Sequence, residues 1–141
     1  MDKNQLAIQY MEQGKMEEAA KIFGEMIEEN PKDPIGYINF GNVLASMNDT
    51  ERAIKFFERA IELDPEAATA YYGLGGIYYE QDDLLKAKDC YEQAIKKGLE
   101  SSDTMFMLGL CLLHLDQPRL ALPYFQRSIE LNGEDAEAQF H

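Results

Sequence analysis

Cys111 and His114 stand three positions apart, a spacing at which two side chains on a helix share one face. A thiol beside an imidazole is the beginning of a zinc site or of a nucleophile–base pair. Zinc needs at least a third protein ligand, and a working nucleophile–base pair needs a group that orients the base. The neighbouring sequence offers neither, so no metal and no catalytic residue are expected there. Tyr72-Gly73-Leu74-Gly75-Gly76 has the glycine content of a phosphate-cradling loop, but it follows no strand and no lysine comes after it. Those glycines are better read as sites of close helix packing. Glu80 and Asp82-Asp83 fall at the end of a helical pattern, where solvation and capping account for them. Cys90 and Cys111 belong to no metal-spaced group and read as free thiols in a reducing compartment. The methionines are scattered and form no stripe, as expected of core filler. No cofactor is implied, and the chain is not expected to be an enzyme.

Composition narrows the classes further. The 141 residues are 45% hydrophobic, 28% charged and 11% aromatic, which is a globular balance with large rings to bury. The formal net charge is -13, so nucleic acid and anionic membrane are disfavoured while a basic partner is attracted. The N-terminal Met1-Asp2-Lys3-Asn4-Gln5 lacks the basic and then apolar pattern of a secretory signal, and the apolar stretch from Met105 to Leu115 is too short for a bilayer span. A cytoplasmic location is expected.

The elements that would position any site are set by a repeat of 34 residues, visible in Gly41, Gly75 and Gly109. The same interval separates Ala19, Ala53, Ala87 and Ala121, and an aromatic follows each alanine four places on, at Phe23, Phe57, Tyr91 and Phe125. Leu6, Phe40, Leu74 and Leu108 form another column, as do Tyr10, Leu44, Tyr78 and Leu112, and Tyr37, Tyr71 and Met105. Each repeat carries two amphipathic helices. In the second repeat Tyr37, Phe40, Gly41 and Leu44 mark the first helix, and Ala53, Ile54, Phe57, Ala60 and Ile61 the second. Asn48-Asp49, Asp82-Asp83 and Asp116-Gln117-Pro118 fall between the helices and are expected to supply N-cap oxygens. Asp33-Pro34 opens the second repeat in the same manner, while Asn30-Pro31 and Asp64-Pro65 stop the preceding helices. Small residues such as Gly41 and Ala53 allow the two backbones to approach, and the rings fill the space between repeats. One such hairpin cannot cover its own apolar face, so hairpins must stack.

These columns resemble the tetratricopeptide repeat. Tyr37, Phe40-Gly41, Leu44, Ala53, Phe57, Ala60 and Pro65 fill its signature positions in the second repeat. The third matches with Tyr71, Leu74-Gly75, Tyr78, Ala87, Tyr91 and Ala94, with Leu99 in place of proline. The fourth has Met105, Leu108-Gly109, Leu112, Ala121 and Phe125, with Ser128 and Gly133 in place of alanine and proline. The first departs most, with Ala7 for the glycine and Met26 for the later alanine. The resemblance implies an all-α solenoid, a right-handed superhelix, divided into repeats at 1–33, 34–67, 68–101 and 102–135. Residues 136–141 would begin a fifth repeat or a truncated capping helix. Pro123 falls inside the last second helix and is expected to kink it.

The first helices carry few charges: only Asp2, Lys3, Glu12, Glu80 and Asp103 within 1–13, 34–47, 68–81 and 102–115. A helix apolar nearly all round is expected to be covered. The resemblance places a concave groove along these helices, lined by Ile38, Asn39, Asn42 and Ser46 in the second repeat. Thr69, Tyr72, Gly73, Gly76, Tyr79 and Glu80 follow in the third, and Asp103, Phe106, Met107, Leu110, Leu113 and His114 in the fourth. Asn39 and Asn42 suit an extended peptide backbone, Tyr72, Tyr79 and Phe106 suit apolar side chains, and Gly73 and Gly76 leave room for close approach. Members that grip an acidic chaperone tail use a Lys and Arg clamp. The matching places hold Asn4, Ile8, Asn39, Thr69 and Gly73, none of them cationic, so that ligand is not expected. The resemblance therefore implies a non-catalytic adaptor that holds an apolar, basic protein segment, extended or helical. The alternative is a structural module that self-assembles by stacking through an uncapped C-terminal end.

Overall fold

The structure is a computed structural model describing residues 2–140, with side chains described for 2–133. Its elements are all helical: α1 (Lys3–Glu12), α2 (Met16–Glu29), α3 (Pro34–Ser46), α4 (Thr50–Leu63), α5 (Ala68–Glu80), α6 (Leu84–Lys96), α7 (Ser102–His114) and α8 (Pro118–Phe140). The chain forms two compact units, one ending at Gly73 and one beginning at Leu74.

In the first unit the helices pair as α1 with α2 and α3 with α4, and α2 also packs on α3. The core is a run of small residues and rings. Ala7, Ala19, Phe23 and Val43 are wholly buried together, with Tyr10, Met26 and Phe40 packed around them. The Phe57 ring is the clearest case of why the glycines are where they are. A Cβ added at Gly41 would lie 3.0 Å from this ring, and one added at Gly73 only 2.5 Å from it. The ring is therefore held between a glycine of its own hairpin and a glycine on α5. Gly36 does the same for Ile27 of α2, at 3.2 Å. Pro34 starts α3 where its missing N–H costs nothing, and the Asp33 carboxylate accepts from the Ile35 N–H at 3.0 Å.

In the second unit α6 packs on α7, and α7 on α8. Gly75 approaches the Tyr91 ring and Gly109 the Phe125 ring, where an added Cβ would lie 2.9 and 2.7 Å away. Ser128 occupies a column held by alanine in the two preceding repeats, and its hydroxyl has a partner. It donates to the Ser102 carbonyl at 2.9 Å, while the Ser102 hydroxyl donates to the Ser128 carbonyl at 3.0 Å. This reciprocal pair ties the start of α7 to the middle of α8.

The hairpin turns differ from expectation. Gly14, Asn48, Asp82 and Asp116 occupy the same place in the repeat, and all have φ between 62° and 78°. Their role is to end the first helix in the left-handed conformation that Gly, Asn and Asp tolerate best. The following N–H closes each turn: Asp49 donates to the Leu44 carbonyl at 2.9 Å, Asp83 to Tyr78 at 2.9 Å and Gln117 to Leu112 at 2.9 Å. Side-chain capping is the lesser function. Asp49 caps no backbone N–H, while Asp83 accepts weakly from Lys86 at 3.4 Å.

The helix α8 also behaves differently from the other second helices. It does not end at Pro123. That residue is exposed, so water can serve the carbonyl that its ring leaves without a donor. Nor does it end at Asn132-Gly133. Residues 136–140 continue α8 instead of opening a new helix. The earlier second helices end beside Pro31 and Pro65, or at Gly98 with φ 109°; after Leu131 there is no proline, and Gly133 does not take a positive φ. His141 and the side chains from 134 onward lie outside the described residues.

Gly73→Ala should destabilise the chain by about 1–3 kcal/mol, because its Cβ meets a ring that cannot yield. Gly133→Ala, with open space around it, should stabilise by about 0.5–1 kcal/mol. Urea denaturation of both variants, with Phe57→Leu added to Gly73→Ala to relieve the clash, checks this assignment.

Candidate peptide-binding site

The candidate residues divide between the two units, and each set has its own geometry. In the first unit Ile38 and Asn39 are half-buried on α3, Asn42 is exposed, and Tyr72 on α5 is half-buried. Asn39 is already engaged: its Nδ2 donates to Asn4 Oδ1 at 3.0 Å, joining α3 to α1. A primary amide keeps further donor and acceptor capacity after one such bond. The contact holds the Asn39 side chain in a fixed orientation, while Asn42 is the freer of the two. Gly73 departs from its expected role. The space its missing side chain leaves is filled by Phe57, so it offers no approach to a ligand. The sequence could not separate these uses, because a glycine next to an aromatic column serves packing and access equally well on paper.

In the second unit the candidate residues are more open. The α7 core face consists of Met105, Leu108, Gly109 and Leu112, with Thr104 and Cys111 also buried. The opposite face carries Phe106 and Leu113, each 46% exposed, with Met107 and Leu110 half-buried. An apolar helix face left open at this level is unusual for a side chain as large as phenylalanine. Phe106 is not loose. Its ring lies 5.6 Å from that of Phe125, tilted by 58°, so one edge is anchored while the other is free. Tyr79 on α5 packs beside His114, with centroids 5.9 Å apart. A Cβ at Gly76 would meet only Tyr91 Oη, at 3.8 Å, so this glycine has room beside it. Gly76, Tyr79, Phe106, Met107 and Leu110 thus share a unit with His114 and Leu113.

Neither the surroundings nor the thiols suggest chemistry. Among the described residues no group of three His, Cys, Asp or Glu is disposed to hold a metal ion. Burial pushes both thiols up to about 11, and Asp89 and Asp83 add to the effect at Cys90. A thiol held protonated in this way is a poor nucleophile and a poor metal ligand.

Comparison with known proteins places the chain. A tetratricopeptide repeat profile matches residues 66–134 and a second TPR repeat profile matches 41–82. The chain belongs to the tetratricopeptide repeat family. A PPR repeat profile, another helical-repeat pattern, matches 4–31 in the most divergent TPR. Over 41 residues, the chain is 51% identical to the TPR repeat-containing protein YrrB of Bacillus subtilis, a match covering 29% of this chain and 20% of that protein. A solved structure of YrrB, described as a TPR protein with an unusual peptide-binding site, superposes with TM-score 0.79 at 51% identity, covering 86% of this chain. This chain spans 62% of that one. MamA shares the fold at TM-score 0.82 and 24% identity, covering 96% of this chain and 79% of its own. The first TPR of Spaghetti, bound to the HSP90 peptide SRMEEVD, shares it at TM-score 0.75 and 19% identity, covering 81% of this chain and 90% of its own. Among the described residues of this TPR chain, no helix is long and apolar enough to cross a membrane.

Two outcomes follow from these observations. Removing both amides with Asn4→Ala and Asn39→Ala should show a coupling of about 0.5–1.5 kcal/mol in a double-mutant cycle on stability, which would fix Asn39 as a structural bridge between α1 and α3. The folded chain holds the two thiol protons more tightly than the unfolded chain does. Their contribution to stability is therefore complete below pH about 9 and lost as pH rises toward about 11. Alkylation at pH 8 should be about 100-fold slower in the folded chain than in the denatured one.

Proposed function

We propose that this TPR chain is a non-catalytic, cytoplasmic adaptor that holds a peptide or helix of a partner protein on the open faces of its first helices. The observation that carries the reading is the anchored, half-open Phe106 ring flanked by Leu113, Met107 and Leu110 on α7. Apolar anchors of this kind supply most of the affinity at a binding face. Tyr79 and the space beside Gly76 extend the apolar set in the same unit. Ile38, Asn39, Asn42 and Tyr72 provide amide and aromatic contacts in the other unit, suited to a peptide backbone.

Charge favours a partner segment that combines apolar side chains with lysine or arginine. The net charge of -13 attracts such a segment and repels an acidic tail like the one held by the first TPR of Spaghetti. Affinity for an unstructured segment should be micromolar, near about -8 kcal/mol.

A displayed library of short peptides, screened against the chain and then titrated by calorimetry, tests the proposal. Enrichment of apolar, basic sequences is expected, with binding weakened at least tenfold, or about 1.4 kcal/mol, by Phe106→Ser with Leu113→Ser. A smaller loss is expected for Asn42→Ala with Tyr72→Ala. Peptides that bind both variants as well as they bind the parent would show that the first-helix faces are not the site.

A further inference from the structure

Of the four first helices, α5 has the least local support. The other three each begin behind a side chain that caps them. The Asp2 carboxylate accepts from the Gln5 N–H at 2.8 Å, Asp33 from the Ile35 N–H at 3.0 Å and the Ser101 hydroxyl from the Thr104 N–H at 3.1 Å. The residue before α5 is Ala67, whose side chain can accept no hydrogen bond. A helix that starts behind alanine lacks the stabilisation that serine or aspartate gives there. The interior of α5 adds to the deficit. Gly73, Gly75 and Gly76 fall within four residues of its middle, whereas α7 has Gly109 alone and α1 has no glycine. Each interior glycine disfavours the helix, because more backbone freedom is lost on forming it.

Two of these glycines have a packing reason. Gly73 lies against Phe57 in the first unit, and Gly75 against Tyr91 in the second. Gly76 has none of that kind, since an added Cβ would come only within 3.8 Å of Tyr91 Oη, an ordinary contact. Alanine would fit there and would favour the helix. The boundary between the two compact units falls in the same run, between Gly73 and Leu74. A ring of each unit therefore grips α5, at positions two residues apart, and the backbone around them is the weakest helix-forming segment of any first helix. In a stack of repeats where each touches only its neighbours, the ends are expected to open first and the middle last. The local features of α5 point the other way.

We propose that α5 is a joint, a helix that opens and re-forms while α3 and α4 on one side and α7 and α8 on the other stay paired. The two units then respond to denaturant as separate cooperative bodies. This inference does not depend on what the chain binds. It gives the unforced glycine at position 76 a role, and it explains why packing by Phe57 and Tyr91 has to supply what the cap and the helix interior do not.

The test is native-state hydrogen exchange of the full chain, resolved by residue, at low urea concentrations. Gly76→Ala and Ala67→Ser are measured alongside, with circular dichroism to verify that both fold. The amides of residues 72–80 should exchange at least about tenfold faster than those of Val43 and Leu44 on α3 and of Leu108 and Leu112 on α7. Their exchange should also depend less steeply on urea than global unfolding does, because opening one helix exposes less surface. Each substitution should slow these same amides by about fivefold, although the two lie at opposite parts of the helix. Protection of α5 equal to or above that of α3 and α7 overturns the proposal. Fast exchange in α5 that neither substitution slows also overturns it, since the weakness would then not lie in the cap and the glycines.

Discussion

The fold depends on aromatic rings lodged against glycines. Phe57 is the fullest case, with no free volume on either side: Gly41 faces it from its own hairpin and Gly73 from the next helix. Dispersion and burial at such a contact are gained only because both backbones come within reach of the ring, and neither would if a methyl group intervened. Tyr91 against Gly75 and Phe125 against Gly109 repeat half of this arrangement in the second unit. The alanine columns at 19, 53, 87 and 121, all buried, have the same purpose, since they keep the paired helices close enough for the rings to fill the space.

Close packing on one side is what leaves another side of each first helix available. On α7 the buried residues are Met105, Leu108, Gly109 and Leu112, together with Thr104 and Cys111. Once those neighbours are placed, Phe106 and Leu113 have no helix of their own unit to cover them fully. The acidic side chains gather instead on second helices and turns. Their ion pairs, such as Arg59 with Glu62 at 2.9 Å and Arg127 with Glu130 at 3.2 Å, are exposed and contribute little to stability. Those charges set the field in which a partner arrives, and the uncharged faces set what it meets.

Much of this was legible in the sequence, because a pattern repeated every 34 residues reports helix phase several times over. The helices and their ring and glycine columns follow directly from it. The uses to which individual columns are put do not. Asn48, Asp82 and Asp116 suit both an N-cap and a left-handed turn, and only backbone geometry shows that the turn comes first. Gly73 suits both ligand access and ring packing, and the choice depends on Phe57, sixteen residues earlier. Asn39 and Asn42 have the same composition and nearly the same place, yet one bridges to Asn4 and the other remains exposed.

The reciprocal fit of ring and glycine also limits how such a chain can be rearranged. Gly73 and Asn39 stand at equivalent places in successive repeats, but only the glycine can lie against Phe57. A duplication that set the second repeat behind itself would drive an amide into that ring. The repeats share a register without being interchangeable parts, and each carries a record of the neighbour it was fitted to.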